Sequence, residues 1–158
     1  MKPKLATPSA ALCGLLLAAL SGAARAKGPR PVIAWQPSFQ AALQEARRLK
    51  KPLLVDFGAR WCGPCHAMDQ RTFTDAAVVR QSRQWVAVKV DIEAQPEIAS
   101  RYGLKSPPML AFLKPDGTLA SRFEGYADAP VLLKQMKAAY LKARRNSVLK
   151  PRTTENQP

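Results

Sequence analysis

Two cysteines three residues apart, in Cys62-Gly63-Pro64-Cys65, are the residues of this chain best suited to covalent chemistry. They follow the apolar run Leu53-Leu54-Val55-Asp56-Phe57, so the pair is expected where a buried strand turns into a helix. Free N–H groups and the positive end of the helix dipole stabilise a thiolate there, bringing Cys62 into a reactive range. The i to i+3 spacing holds both sulfurs within reach of a disulfide, whose Cα atoms must lie about 4.4 to 6.8 Å apart. Cys62, the outer cysteine, is expected to attack a disulfide, and Cys65, the inner one, to resolve the mixed disulfide. Pro64 suits the first helical turn, which needs no internal N–H donor.

His66 extends the pair to Cys62-Gly63-Pro64-Cys65-His66, which also satisfies C-x-x-C-H, the attachment pattern of c-type haem. A cytochrome is therefore the rival from another class, although the pentad follows a buried strand instead of opening a haem-wrapping helical chain. Structural zinc is excluded more simply, because one cysteine pair and one histidine supply no second ligand pair. In the dithiol reading, His66 tunes the pair or is a solvent-facing helix residue. No metal site and no cofactor are expected.

The chain has 158 residues, with 25 Lys+Arg against 11 Asp+Glu, a formal +14. Three cysteines are too few for a disulfide scaffold, and the ordinary apolar and charged fractions exclude a wholly disordered chain or one that spans a membrane many times. Lys2 and Lys4, the apolar run Ala10 to Leu20 and the small-x-small triplet Ala24-Arg25-Ala26 predict a secretory signal over 1–26, cleaved after Ala26; an uncleaved anchor is the alternative, although the run is well short of the roughly 20 residues needed to span a bilayer. Cys13 leaves with it. The mature chain then carries 22 basic and 11 acidic residues, a net +11, and meets an oxidising compartment with only Cys62 and Cys65. Their chemistry is internal to the pair.

The elements that must position this pair follow from periodicity. Residues 27–37 form an N-terminal segment with at most a short edge strand. Ser38 caps a helix whose Phe39, Ala42, Leu43, Ala46 and Leu49 recur at helical spacing. Residues 53–57 read as a central strand covered on both faces, and 59–71 as the turn and active helix. Asp75 caps another helix to about Gln84; Trp85 to Ile92 alternates as a second strand; Pro96 to Tyr102 is a short helix stopped by Gly103. Met109 to Leu113 and Leu119 to Phe123 pair as a hairpin through Pro115-Asp116-Gly117. Asp128 to about Arg145 closes with a helix burying Val131, Leu132, Gln135, Met136, Ala139 and Tyr140. The expectation is an α/β domain over 38–145, with a mixed sheet of four to five strands and helices on both faces. The basic tail 146–158 is expected to be disordered.

From Val55 through Cys65, with Ala59-Arg60-Trp61 before the pair, the chain resembles the active-site stretch of the thioredoxin superfamily. Tyr102-Gly103-Leu104-Lys105-Ser106-Pro107-Pro108 before an apolar strand is similar to the approach to that family's cis-proline loop. The stretch Trp35 to Lys51, with Thr72-Phe73-Thr74-Asp75, is most similar to the periplasmic thioredoxin-like domain of membrane disulfide-interchange transporters, the DsbD C-terminal type. Residues 35–143 are covered.

The resemblance implies that Pro108 is the cis-proline facing Cys62; an ordinary loop proline is the plainer account. It implies that Asp56 is the buried proton acceptor serving Cys65. Even without the family, an acid inside an apolar strand needs a reason, since burial is costly and raises its pKa; an edge position open to water would remove that need. Lys89 matches a lysine near that aspartate, or is a solvated strand lysine. Trp61, Gly63, Pro64, Pro107 and Pro108 are the expected client-binding residues, with Trp61 equally suited to packing. Two positions depart from the family: Gly58 replaces its second tryptophan, and Pro107 lacks the N–H that can bond an extended client segment.

The function so implied is an exported thiol:disulfide oxidoreductase. Gly-Pro between the cysteines is the thioredoxin dipeptide, and thioredoxin is reducing, at about −270 mV against about −120 mV for the oxidant DsbA. That favours a reductant fed by a membrane electron donor of disulfide-interchange type and acting on protein disulfides. A periplasmic oxidase or isomerase, or a non-catalytic binding module, is the alternative. Lys134, Lys137, Lys142, Arg144, Arg145, Lys150 and Arg152, offset by Glu155, make a basic C-terminal segment suited to anionic lipid or an acidic partner, or simply solvated. No aromatic interleaving points to nucleic acid.

Overall fold

The computed structural model describes residues 32–145. The expected signal, the start of the N-terminal segment and the expected tail lie outside the described residues. Five strands form one mixed sheet in the order β1-β3-β2-β4-β5. They are β1 (Trp35–Gln36), β2 (Leu53–Gly58), β3 (Val86–Asp91), β4 (Met109–Leu113) and β5 (Leu119–Glu124). β2 runs parallel to β3 and antiparallel to β4, and β1 adds a parallel edge. β2 is central because Leu53 to Phe57 are all buried, leaving no polar face to turn to water.

Side-chain alternation along β2 divides the interior in two. Leu53, Val55 and Phe57 pack with Phe39, Ala42 and Ala46 of α1 (Phe39–Leu49) and with Ile98 and Ala99 of α4 (Pro96–Arg101). On the other face, Leu54 packs with Met68, with Val78 and Val79 of α3 (Ala76–Ser82), and with Leu132 and Met136 of α5 (Ala129–Arg145). Asp56 shares this second face, as do Ala87 and Lys89 on β3.

Local capping accounts for the helix starts. Ser38 Oγ accepts the Ala41 N–H at 3.1 Å, Asp75 Oδ1 accepts those of Ala77 and Val78, and Asp128 Oδ1 accepts that of Val131 at 2.9 Å. Each side-chain oxygen satisfies a donor that the first turn leaves free. Gly103, at φ +71, takes the left-handed conformation that ends α4.

Three expectations need correction. β3 and α3 are shorter than predicted, since strand and helix bonding stop before the apolar pattern does. Leu49 and Val131, predicted on buried faces, are exposed, because each sits at the margin of its helical stripe. The short edge strand allowed within 27–37 forms as β1, Trp35–Gln36, in agreement with that expectation. The active helix also changes pitch: α2 (Gly63–Ala67) continues into a π turn, Met68–Thr72, closed by the Phe73 N–H donating to the Met68 carbonyl at 2.9 Å. Among the described residues, no helix is long and apolar enough to cross a membrane.

Candidate active site

Cys62 caps α2, and Cys65 lies on its first turn, with Pro64 between them and Gly63 and Pro64 exposed. The two sulfurs are joined as a disulfide, with Cα atoms 5.3 Å apart. Cys62 Sγ accepts the Cys65 backbone N–H at 3.2 Å. On reduction the same donor meets the Cys62 sulfur, where it favours the thiolate.

Both cysteines are buried, and Cys62 (3% exposed) is no more open than Cys65 (8%). The expectation of an outer and an inner cysteine therefore does not hold by exposure in the disulfide form. Part of the cause is Gly58. A Cβ at that position would meet Cys65 Sγ at 3.6 Å, an ordinary contact, so sterics do not demand glycine. Its bareness leaves a cavity of about 210 Å³ lined by Asp56, Gly58, Cys65, His66, Asp69 and Lys89 among others. Cys65 lines this cavity; Cys62 does not.

Asp56 sits on central β2, 6% exposed. Burial pushes its carboxyl up to about 6, while the Lys89 ammonium opposes the rise by charge and hydrogen bond, and nearby Asp69 adds to it slightly. Lys89 is the cross-strand partner of Asp56 in the β2–β3 register, and its Nζ lies 3.2 Å from Asp56 Oδ2. Its Nζ also pairs with Asp69 on the π turn. The solvated-lysine account of Lys89 thus gives way to an ion-paired one. A carboxyl poised near neutrality and sharing a cavity with a cysteine can take and return a proton.

His66 is exposed, and its Nε2–H donates to the Arg60 carbonyl at 2.7 Å. Trp61 is 64% exposed, with its Nε1–H donating to Glu93 Oε1 at 3.1 Å. The indole therefore lies on the surface and not in the core, so the packing account of Trp61 does not apply. The Pro107–Pro108 peptide bond is cis; Pro107 is half-buried, Pro108 is buried, and the Pro108 carbonyl accepts the Gly125 N–H at 2.8 Å.

Of the residues singled out from sequence, Asp56, Cys65, His66 and Lys89 share the cavity, and Cys62 reaches it through the disulfide. Trp61, Gly63, Pro64, Pro107 and Pro108 lie outside its lining. Sequence reasoning missed Asp69, although its i+4 spacing from Cys65 along a helix was a usable signal. It also missed Glu93, for which no local pattern existed.

A cysteine pair closed at a helix start, backed by a buried and ion-paired carboxyl, defines a dithiol redox site. The thioredoxin-like family model matches residues 34–115, and the chain belongs to that family. It is 34% identical over 107 residues to the thiol:disulfide interchange protein DsbD 1 of Pseudomonas aeruginosa, covering 64% of this chain and 18% of that protein. The oxidised DsbD C-terminal domain of Neisseria meningitidis superposes with a TM-score of 0.57 at 25% identity, covering 63% of this chain and 91% of that one. A thioredoxin from Thermus thermophilus superposes with a TM-score of 0.66 at 23% identity, covering 73% and 93%, and supports the fold. The chain spans about a fifth of the length of the DsbD relatives it matches, 18%.

Proposed function

We propose that this protein is an exported thiol:disulfide oxidoreductase acting as a reductant on protein disulfides. The observation that carries the proposal is the buried Asp56, near pH 6, lining one cavity with Cys65 beneath the Cys62–Cys65 disulfide. In the reduced protein the Cys62 thiolate attacks a client disulfide, forming a mixed disulfide and expelling one client thiolate. Asp56 accepts the proton of Cys65. The Cys65 thiolate then attacks Cys62 Sγ, releasing the second client thiolate and closing the Cys62–Cys65 disulfide, so that two electrons pass to the client.

Catalytic roles go to Cys62, Cys65 and Asp56; Lys89 and His66 tune them; Trp61, Gly63, Pro64, Pro107 and Pro108 contact the client. Haem attachment fits less well. It would convert both sulfurs to thioethers and turn the His66 ring away from its bond to Arg60.

The basic start, apolar run and Ala24-Arg25-Ala26 support export with cleavage after Ala26. With no cofactor motif, the dithiol needs an outside donor. The DsbD likeness supports a membrane donor of disulfide-interchange type. Lys134, Lys137, Lys142 and Arg144 are exposed along α5 and suit a peripheral contact with an anionic membrane or an acidic donor face. Acid trapping and thiol alkylation of growing cells tests the direction. The pair is expected mainly reduced, and oxidised once the donor is deleted; a fully oxidised pair in wild-type cells would make the protein an oxidase.

Pro107 yields a separate expected result. Lacking an N–H, it cannot donate to an extended client segment beside the cis bond, one strand-like hydrogen bond worth about 0.5–1.5 kcal/mol. Pro107→Thr should lower KM for peptide disulfides several-fold with the fold intact. Unchanged or poorer kinetics would remove backbone pairing at this position.

A further inference from the structure

Lys89 is held by more than its two carboxylates. Its Nζ lies 4.8 Å from the centroid of the Trp35 ring and 4.9 Å from that of Phe73. The two rings meet edge to face, with centroids 5.2 Å apart and planes at 81°. They arrive from separate elements. Trp35 is on edge strand β1, opposite Ala87, which precedes Lys89 by two residues on the same face of β3. Phe73 closes the π turn.

We propose that Trp35 and Phe73 are positioning residues of the dithiol site: their ring faces hold the Lys89 ammonium against Asp56 and so set the pH at which Asp56 can take the Cys65 proton. The negative faces of the rings attract a cation, most strongly where water is thinned out. Lys89 needs such a hold. Its side chain is 39% exposed, its four-carbon stem is flexible, and the more exposed Asp69 competes for the same ammonium. Without the rings, Nζ is free to follow Asp69 toward solvent, and Asp56 loses the cation that favours its charged form. β1 then serves the chemistry as well as closing the sheet.

The inference rests on the proposed role of Asp56 as proton acceptor. Lys89 from β3 and Asp69 from the π turn act on that carboxyl directly, and the other titratable or charged groups lining its cavity are Asp91 from β3, Cys65 and His66 from α2, and Arg60 from the loop before it. In the disulfide form Cys65 does not titrate, so that form is the one to measure. ¹³C-carboxyl NMR titration of Asp56 should show its midpoint rising by about half a pH unit or more in Trp35→Leu, and also rising in Phe73→Leu. Trp35→Phe should restore most of the wild-type midpoint. In a Lys89→Met background, ring removal should add nothing.

A purely packing role predicts the opposite sign, because admitted water favours the charged carboxylate and lowers the midpoint with or without Lys89. That result, or no shift in either ring variant, would overturn the proposal. Should Trp35→Leu fail to fold, Phe73→Leu decides. The role of Asp56 as acceptor is read separately: if Asp56→Asn leaves mixed-disulfide resolution unchanged, that role fails while the titration still judges the aromatic clamp.

Discussion

Asp56→Asn is expected to make the oxidised protein more stable at neutral pH while slowing the resolving step. The folded carboxyl titrates at about 6, against an ordinary 3.8. An acid whose pKa rises on folding binds its proton more tightly when folded, so the folded state is best favoured below the unfolded value. That advantage is lost as pH rises from 3.8 toward 6, and the loss is constant above. The gap corresponds to about 3 kcal/mol of stability forgone at pH 7, an upper bound for what asparagine recovers. Lys89 keeps Asp69 as a partner in the variant, so no buried cation is stranded. Denaturant unfolding at pH 4 and pH 7 checks this: variant and wild type should converge at the lower pH and separate at the higher. Equal separation at both would show that Asp56 is not protonated on folding.

The kinetic half of that expectation comes from the same carboxyl. Cys65 must lose a proton before attacking Cys62, whereas client attack by an already formed Cys62 thiolate needs no such help. Asp56→Asn should therefore slow resolution more than formation of the mixed disulfide, and the inflection near pH 6 should disappear from the resolution profile. Stopped-flow measurement with a peptide disulfide separates the two steps. If both keep their wild-type rates, Asp56 has no part in proton transfer.

Cys62→Ser is expected to bring dithiothreitol-driven reduction of an insulin-like disulfide down to the uncatalysed rate, whereas Cys65→Ser should trap clients on Cys62. The cause is the N–H of Cys65, which meets the Cys62 sulfur and not its own. This pair of variants has a sharper purpose because Cys65, not Cys62, lines the cavity opened at Gly58. Mass spectrometry of the trapped adducts locates the linkage. Clients found on Cys65 in Cys62→Ser would reverse the roles and make the Gly58 cavity the approach for clients.

The amino-acid sequence by itself determined the features whose causes lie within one helical turn or one strand. The caps Ser38, Asp75 and Asp128 act over two or three residues, Gly103 ends its helix where a left-handed residue is needed, and Cys62 and Cys65 are set by their own spacing. The uninterrupted apolar run of β2 announces a central strand, and the acid inside it announces an unusual carboxyl, because neither can be solvated in place. Tertiary structure decided how that carboxyl is partnered. Lys89 meets Asp56 only because β2 and β3 pair in one parallel register, and a slip of one residue would send it to the other face. Trp35 and Phe73 reach Lys89 from an edge strand and a π turn, contacts made across the sheet that no local period encodes. The openness of Cys65 relative to Cys62 likewise depends on what surrounds Gly58 in space, and Trp61 bonds to Glu93, 32 residues along the chain. Helical and strand periods report which face is buried; they carry no information about which buried faces meet.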